Sequence, residues 1–97
     1  MDIYYDYYVC LFDYYGDLFT DKQKKYFEDY YFNNLTLQEI ADNNKVSRNA
    51  VHKNLKDILK KLDYYEEKLN LYNNKKKIEE LISDIDVNIK KKIEELI

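Results

Sequence analysis

An all-α fold is what this sequence predicts: a small helical bundle with a helical extension at its C-terminal end. Three observations carry that expectation. The 97 residues contain no proline and a single glycine, so almost nothing in the chain interrupts a helix. Apolar side chains recur every three or four positions. Two capping boxes, Thr20 with Gln23 and Thr36 with Glu39, mark helix starts by pairing a hydroxyl with an amide or carboxylate three residues on. The length fits one core, too modest to tolerate many unsatisfied polar groups.

The first helix is expected from about Ile3 to Tyr15, with Tyr4, Tyr8, Leu11, Phe12 and Tyr15 on one broad face. Gly16 follows where a left-handed residue would close it. Thr20 opens the second helix, and Asp21 adds negative charge at the positive end of its dipole. Its inward stripe is Tyr26 or Phe27, then Tyr30 and Tyr31, until Asn33-Asn34 breaks the pattern. Thr36 opens the third helix, with Leu37, Ile40 and Ala41 facing inward. Asp42-Asn43-Asn44-Lys45 reads as a polar turn, after which Val46 returns to the core and Ser47 caps the next helix. That fourth helix is carried from Arg48 to about Leu71 by Val51, Leu55, Ile58, Leu59, Leu62, Tyr65 and Leu69, with room for a bend near 63–65.

The C-terminal part contains a repeat. Lys75 to Ile82 and Lys90 to Ile97 are the same eight residues, KKKIEELI. Ile78, Ile82, Ile85, Ile89, Ile93 and Leu96 form a stripe too apolar to sit in water by itself, so it packs on this chain's bundle or on another chain. Ser83 is expected to cap the last helix. The division that results is a domain over residues 1–73 and a helical extension over 74–97, through which the chain could form a homodimer.

Residues 36–55 read as a helix-turn-helix without winged elements. Two helices crossing steeply through a short turn need a small residue at their closest approach, and Ala41 supplies it. Leu37, Ile40, Val46, Val51 and Leu55 form the apolar wedge. One position departs from the pattern: Lys45 stands where the turn usually carries glycine in the left-handed region. The turn is therefore expected either to shift or to carry about 1 kcal/mol of strain.

Charge points to the same segment. The net charge is −3, yet residues 36–61 hold six basic and three acidic side chains, against three and seven in residues 1–32 and seven and nine in residues 62–97. The exposed side of the fourth helix presents Arg48, Asn49, His52, Lys53 and Lys56. The first residues of a second helix reach base edges when it enters a major groove, where Arg suits guanine and Asn suits adenine. Lys56, Lys60 and Lys61 are better placed for phosphates. A solvated amphipathic face is the plainer reading of the same residues; the motif favours nucleic acid.

Other chemistries find little material. Cys10 lies among Val9, Leu11 and Phe12 and reads as a small core residue in a reducing, cytoplasmic setting. One Cys and one His are poor material for a metal site, and no glycine-rich phosphate loop exists, so neither a cofactor nor an enzymatic activity is expected. The pairs Glu66-Glu67, Glu79-Glu80 and Glu94-Glu95 diverge by about 100° around a helix and read as solvated faces. The tyrosines read as core and interface residues rather than as base-stacking platforms. No apolar stretch approaches the roughly 20 residues that span a bilayer, and no basic leader precedes Ile3, so membrane insertion is not expected.

Four segments occur in an order that resembles a known family: Tyr4 to Tyr15, Leu18-Phe19-Thr20-Asp21-Lys22-Gln23, the 36–55 motif, and Tyr64 to Tyr72. Together they resemble the YlxM family of bacterial helix-turn-helix proteins over most of the first 73 residues, the run from Tyr64 to Tyr72 being the more distinctive part. The resemblance implies a cytoplasmic, all-helical protein similar to region 4 of sigma-70 factors, associated with the signal recognition particle pathway. It implies as binding surface Ser47, Arg48, Asn49, His52 and Lys53, with DNA or the particle's RNA as target and the particle's proteins as further partners. The alternative is a protein-interaction module that docks on targeting or transcription machinery without touching nucleic acid.

Overall fold

The computed structural model describes residues 5–97, in which every regular element is helical. Helix α1 spans Tyr5–Tyr15 and runs into a 3₁₀ turn at Gly16–Leu18. Helices α2 (Asp21–Tyr31), α3 (Leu37–Asn44), α4 (Arg48–Leu69), α5 (Leu71–Leu81) and α6 (Val87–Glu94) follow. The expected start at Ile3 and the place of Tyr4 lie outside the described residues.

Both capping boxes form. Thr20 Oγ1 accepts from Gln23 N while Gln23 Oε1 accepts from Thr20 N, and Thr36 with Glu39 does the same. Each box satisfies two of the N–H groups that a helix start leaves without intrahelical partners. Gly16 does not play the expected part, since its φ is negative. Its missing side chain matters for another reason: a Cβ there would lie 3.2 Å from the Phe12 ring. That ring is stacked on Phe27 with centroids 4.1 Å apart, so it has little freedom to retreat.

Helix α4 is the axis of the bundle and packs against α1, α2, α3 and α5. It buries Val51, Leu55, Ile58, Leu59, Leu62 and Glu66, five apolar residues and one carboxylate at helical spacing. Against that stripe lie Leu11, Phe12 and Tyr15 of α1, Tyr26, Phe27 and Tyr31 of α2, and Ile40 and Ala41 of α3. Leu37, Tyr8, Tyr30 and Tyr65 pack on this core half-buried. Two expected core residues lie outside it: Val46 is 37% exposed and Leu69 is 50% exposed. Periodicity places Leu69 on the buried face, but α4 outruns the helices that cover it. The helical ladder continues through 63–65, and the chain turns instead at Asn70, in the left-handed region with φ 56°.

The helix-turn-helix consists of α3 and α4 joined by three residues. Asp42, Asn43 and Asn44, expected in the turn, complete the last turn of α3, where Asn44 Nδ2 donates to the Ile40 carbonyl at 2.7 Å. The turn does not shift. Lys45 itself goes left-handed, with φ 56° and ψ 44°. Val46 N then donates to the Ala41 carbonyl at 3.0 Å and Lys45 N to the Asp42 carbonyl at 3.3 Å, the paired closure of a Schellman motif. Among the described residues the other left-handed non-glycine residues are Asn34 and Asn70, a type that tolerates the region better than lysine does.

The junction of α4 and α5 is built around a buried acid. Glu66 is 7% exposed, so it is not part of a solvated face, whereas Glu67 is exposed. Its Oε1 accepts from Tyr15 Oη at 2.6 Å and from Tyr72 N at 3.1 Å, and its Oε2 accepts from Asn73 N at 3.0 Å. Tyr15 Oη in turn accepts from Leu71 N at 3.2 Å. The first three N–H groups of α5 are thus satisfied by side chains of α1 and α4, and a negative charge sits at the positive end of the helix dipole. Burial, followed by the Glu66 hydrogen bond, pushes the Tyr15 hydroxyl up to about 12 from its ordinary 10.0.

Beyond α5 the chain reverses through 82–86. Asp86, not Ser83, caps α6, its Oδ1 accepting from Asn88 N and Ile89 N, while Ser83 Oγ donates to the Glu80 carbonyl. The chain then returns to α1, where Tyr14 Oη donates to the Ile97 carbonyl at 3.4 Å.

Two outcomes follow. Lys45→Gly removes the left-handed strain and is expected to stabilise the fold by about 1 kcal/mol, raising Tm by about 4–8 °C in a thermal melt followed by circular dichroism. Tyr15→Phe strips a donor from buried Glu66 and an acceptor from Leu71 N, and should cost about 1.5–3 kcal/mol in a urea titration. A tyrosine whose folded-state pKa is raised contributes stability that is present below pH 10 and lost between about 10 and 12. The gap between wild type and Tyr15→Phe should therefore narrow over that interval.

Candidate nucleic-acid interface

The start of α4 is held by Ser47, whose Oγ accepts from Ala50 N at 3.1 Å. Ser47 therefore serves first as a helix cap, with its own O–H left to donate outward. From there the helix carries Asn49, Lys53, Lys56 and Lys60 at successive steps of four, three and four residues. At 100° per residue they share one strip on the side away from Val51, Leu55 and Leu62. All four are exposed. Among the described residues their side chains, with that of Arg48, have no hydrogen-bond or ion-pair partner. Their donors are free for a ligand.

Arg48 and His52 sit apart from this strip. His52 is half-buried on the flank of α4. Arg48 lies at the edge of an open depression of about 560 Å³ formed where the end of α2, the start of α3 and the start of α4 meet. Tyr30, Asn34, Thr36 and Gln38 line the same depression. Thus the structure brings Asn49, Lys53 and Lys56 together on one strip, with Ser47 at its head. It turns Arg48 toward the start of α3.

Thr36 and Gln38 were not among the binding residues read from the sequence. The Thr36 capping box located a helix start, but only the packing of three elements sets that start beside Arg48. Leu37 and Gln38, the first residues of α3, carry N–H groups that the box does not satisfy, since its Thr36 hydroxyl is committed to Glu39 N. Cationic guanidinium, polar side chains and a helix start together favour an anion.

A second depression, of about 700 Å³, opens at the other end of α4 and is lined by Asp6, Asp63 and Glu67 with Tyr7, Tyr72 and one lysine, Lys76. Burial, with Asp63 and Glu66 next, raises the Tyr7 hydroxyl above its ordinary value. Basic side chains thus line α4 from Arg48 to Lys61, interrupted by Asp57, and carboxylates gather from Asp63 to Glu67. Among the described residues no group of His, Cys, Asp and Glu is arranged to hold a metal ion. Nor is any of their helices long and apolar enough to cross a membrane.

Comparison with known proteins gives the family to which the helix-turn-helix belongs. Residues 5–97 match the model of the UPF0122 family, described as "Putative helix-turn-helix protein, YlxM / p13 like". The match includes the repeated tail, which the resemblance read from the sequence had left out. A UPF0122 protein of Malacoplasma penetrans is 42% identical over 92 residues, covering 89% of this chain and 86% of that protein. One from Fusobacterium nucleatum is 41% identical over 92 residues, covering 90% and 89%. One from Listeria welshimeri is 40% identical over 82 residues, covering 84% and 74%. No solved structure matches. With a full-length family match and relatives at this identity, the chain belongs to the UPF0122 family of YlxM / p13-like helix-turn-helix proteins.

Proposed function

We propose that this chain is a regulatory nucleic-acid-binding protein that works through the first half of α4. The observation that carries the reading is the strip of Asn49, Lys53, Lys56 and Lys60. It is exposed and free of internal partners, and it starts at the turn of a helix-turn-helix. In this reading α4 lies along a groove. Asn49 and Lys53, nearest the helix start, meet base edges, while Lys56 and Lys60 meet phosphates farther along. Arg48 and the start of α3 hold the flanking backbone. DNA and the RNA of the signal recognition particle are the two candidate targets. The family resemblance supports a part in that targeting pathway, in the cytoplasm, alongside the particle's proteins.

A second reading takes the acidic depression of Asp6, Asp63 and Glu67 as a dock for a basic protein segment, which suits a chain of net charge −3. In that case the chain joins targeting or transcription machinery without touching nucleic acid.

Binding to a DNA duplex and to the particle's RNA should be measured by fluorescence anisotropy across a salt series. Affinity is expected to fall steeply with salt, as contacts to several phosphates require. Arg48→Glu combined with Lys53→Glu should abolish binding while leaving helicity unchanged. Salt-independent binding, or none to either nucleic acid at low salt, would refute the nucleic-acid reading. Capture of the particle's protein components by a chain that binds neither would favour the docking reading.

A further inference from the structure

Three described residues other than glycine are held in the left-handed region, and two of them are asparagine. Asn34 lies between α2 and α3, Asn70 joins α4 to α5, and asparagine meets the demand there with little strain. The third is Lys45, at the one of these turns that leads into the basic strip of α4. Val46 N on the Ala41 carbonyl sets the register of that turn, so the left-handed position falls on residue 45. Asn44 cannot take it, since its side chain already closes α3 on the Ile40 carbonyl. Nothing inside the molecule explains the lysine. It is exposed, and among the described residues its Nζ has no hydrogen-bond, ion-pair or ring partner. The nearby carboxylate of Asp42 accepts from Gln38 Nε2 at 2.9 Å instead. What Lys45 has is its place: it stands two residues before Ser47, so its Cα lies within about 7.6 Å of that of the cap. Strain that serves no internal contact belongs with a contact made outside the chain.

We infer that Lys45 is a positioning residue for nucleic acid: its ammonium holds a backbone phosphate at the head of α4 and so sets how the helix start enters the groove. The inference rests on the nucleic-acid reading of α4 and adds a contact on the turn itself, ahead of the helix. An ammonium is a point charge on a flexible stem, which meets a phosphate without requiring one geometry. The left-handed backbone fixes where that stem begins. Asn49 and Lys53 then meet base edges from a set depth, with phosphates held ahead of them by Lys45 and behind them by Lys56. A phosphate is alike at every base pair, so Lys45 contributes affinity and register without sequence preference.

The test follows log affinity against log salt by fluorescence anisotropy, for the full chain on a DNA duplex and on the particle's RNA. Lys45→Gly and Lys45→Asn remove the ammonium while suiting the left-handed turn, so helicity should hold in both. Each should flatten the slope by about 0.7–0.9, the value of one phosphate contact, and weaken binding roughly five- to eightfold at about 0.1 M salt. The loss should be the same on two duplexes of unrelated sequence. Lys45→Arg should restore affinity and slope, and Lys92→Ala, which removes an exposed lysine of the tail, should change neither. If wild-type binding is steeply salt-dependent and both neutral variants match it in affinity and slope, the inference falls and the reading of α4 stands. A loss of affinity at unchanged slope, or one that arginine does not restore, would assign the effect to the shape of the turn and overturn the inference too. A wild-type chain that binds neither nucleic acid would overturn it together with the reading it rests on.

Discussion

The carboxylate of Glu66 is the point on which three helices depend. An acid removed from water costs several kcal/mol unless hydrogen bonds replace its hydration, and here a tyrosine hydroxyl and two backbone N–H groups do so. The exchange is mutual. Helix α5 begins at a left-handed Asn70 whose side chain donates to Asn74 and not to the helix start, so the N–H groups of 71–73 have only Tyr15 and Glu66 to meet. Removing either side chain leaves buried polar groups on the other two helices. The clasp therefore fixes where α4 stops and α5 begins, and in which direction the tail departs.

That arrangement leaves the two ends of α4 with different tasks. The second half, from Ile58 to Glu66, is occupied by α1 and α5. The first half keeps one face on α2 and α3 and presents the other, with its row of lysines, to the outside. Basic residues are thus concentrated on the face of the helix that α2 and α3 leave uncovered. The acidic side chains of α1 and of the end of α4 lie at the opposite end, where their field interferes least with an approaching polyanion.

Much of this was legible in the residues, and the boundary of legibility has a physical cause. Capping boxes are local, so Thr20 with Gln23 and Thr36 with Glu39 placed two helix starts correctly. The left-handed demand on Lys45 was readable because backbone strain belongs to a single residue. The burial of Glu66 is not legible, because its partner Tyr15 is 51 residues away and beside Glu67 it looks like half of a solvated pair. Gly16 stands where a helix end wants glycine for its backbone, yet its reason is the Phe12 ring above it. Val46 and Leu69 have the right periodicity, but periodicity reports a face and not whether anything covers it. At the candidate interface, the strip on α4 follows from helical spacing. The turning of Arg48 toward Thr36 and Gln38 depends on how three elements meet.

The distance along the chain between Tyr15 and its partners also has a consequence for how the molecule comes into being. The helix-turn-helix closes through neighbours within about twenty residues, whereas the clasp cannot form until Asn73 has been made. During synthesis α1 emerges early and must wait, its aromatic face meeting only α2, while translation supplies the rest at a rate of roughly 5–20 residues per second. For several seconds on the ribosome, then, the nascent chain exposes Tyr15 and its neighbours as an unfinished apolar surface. It acquires the clasp only once the chain has been made through Asn73.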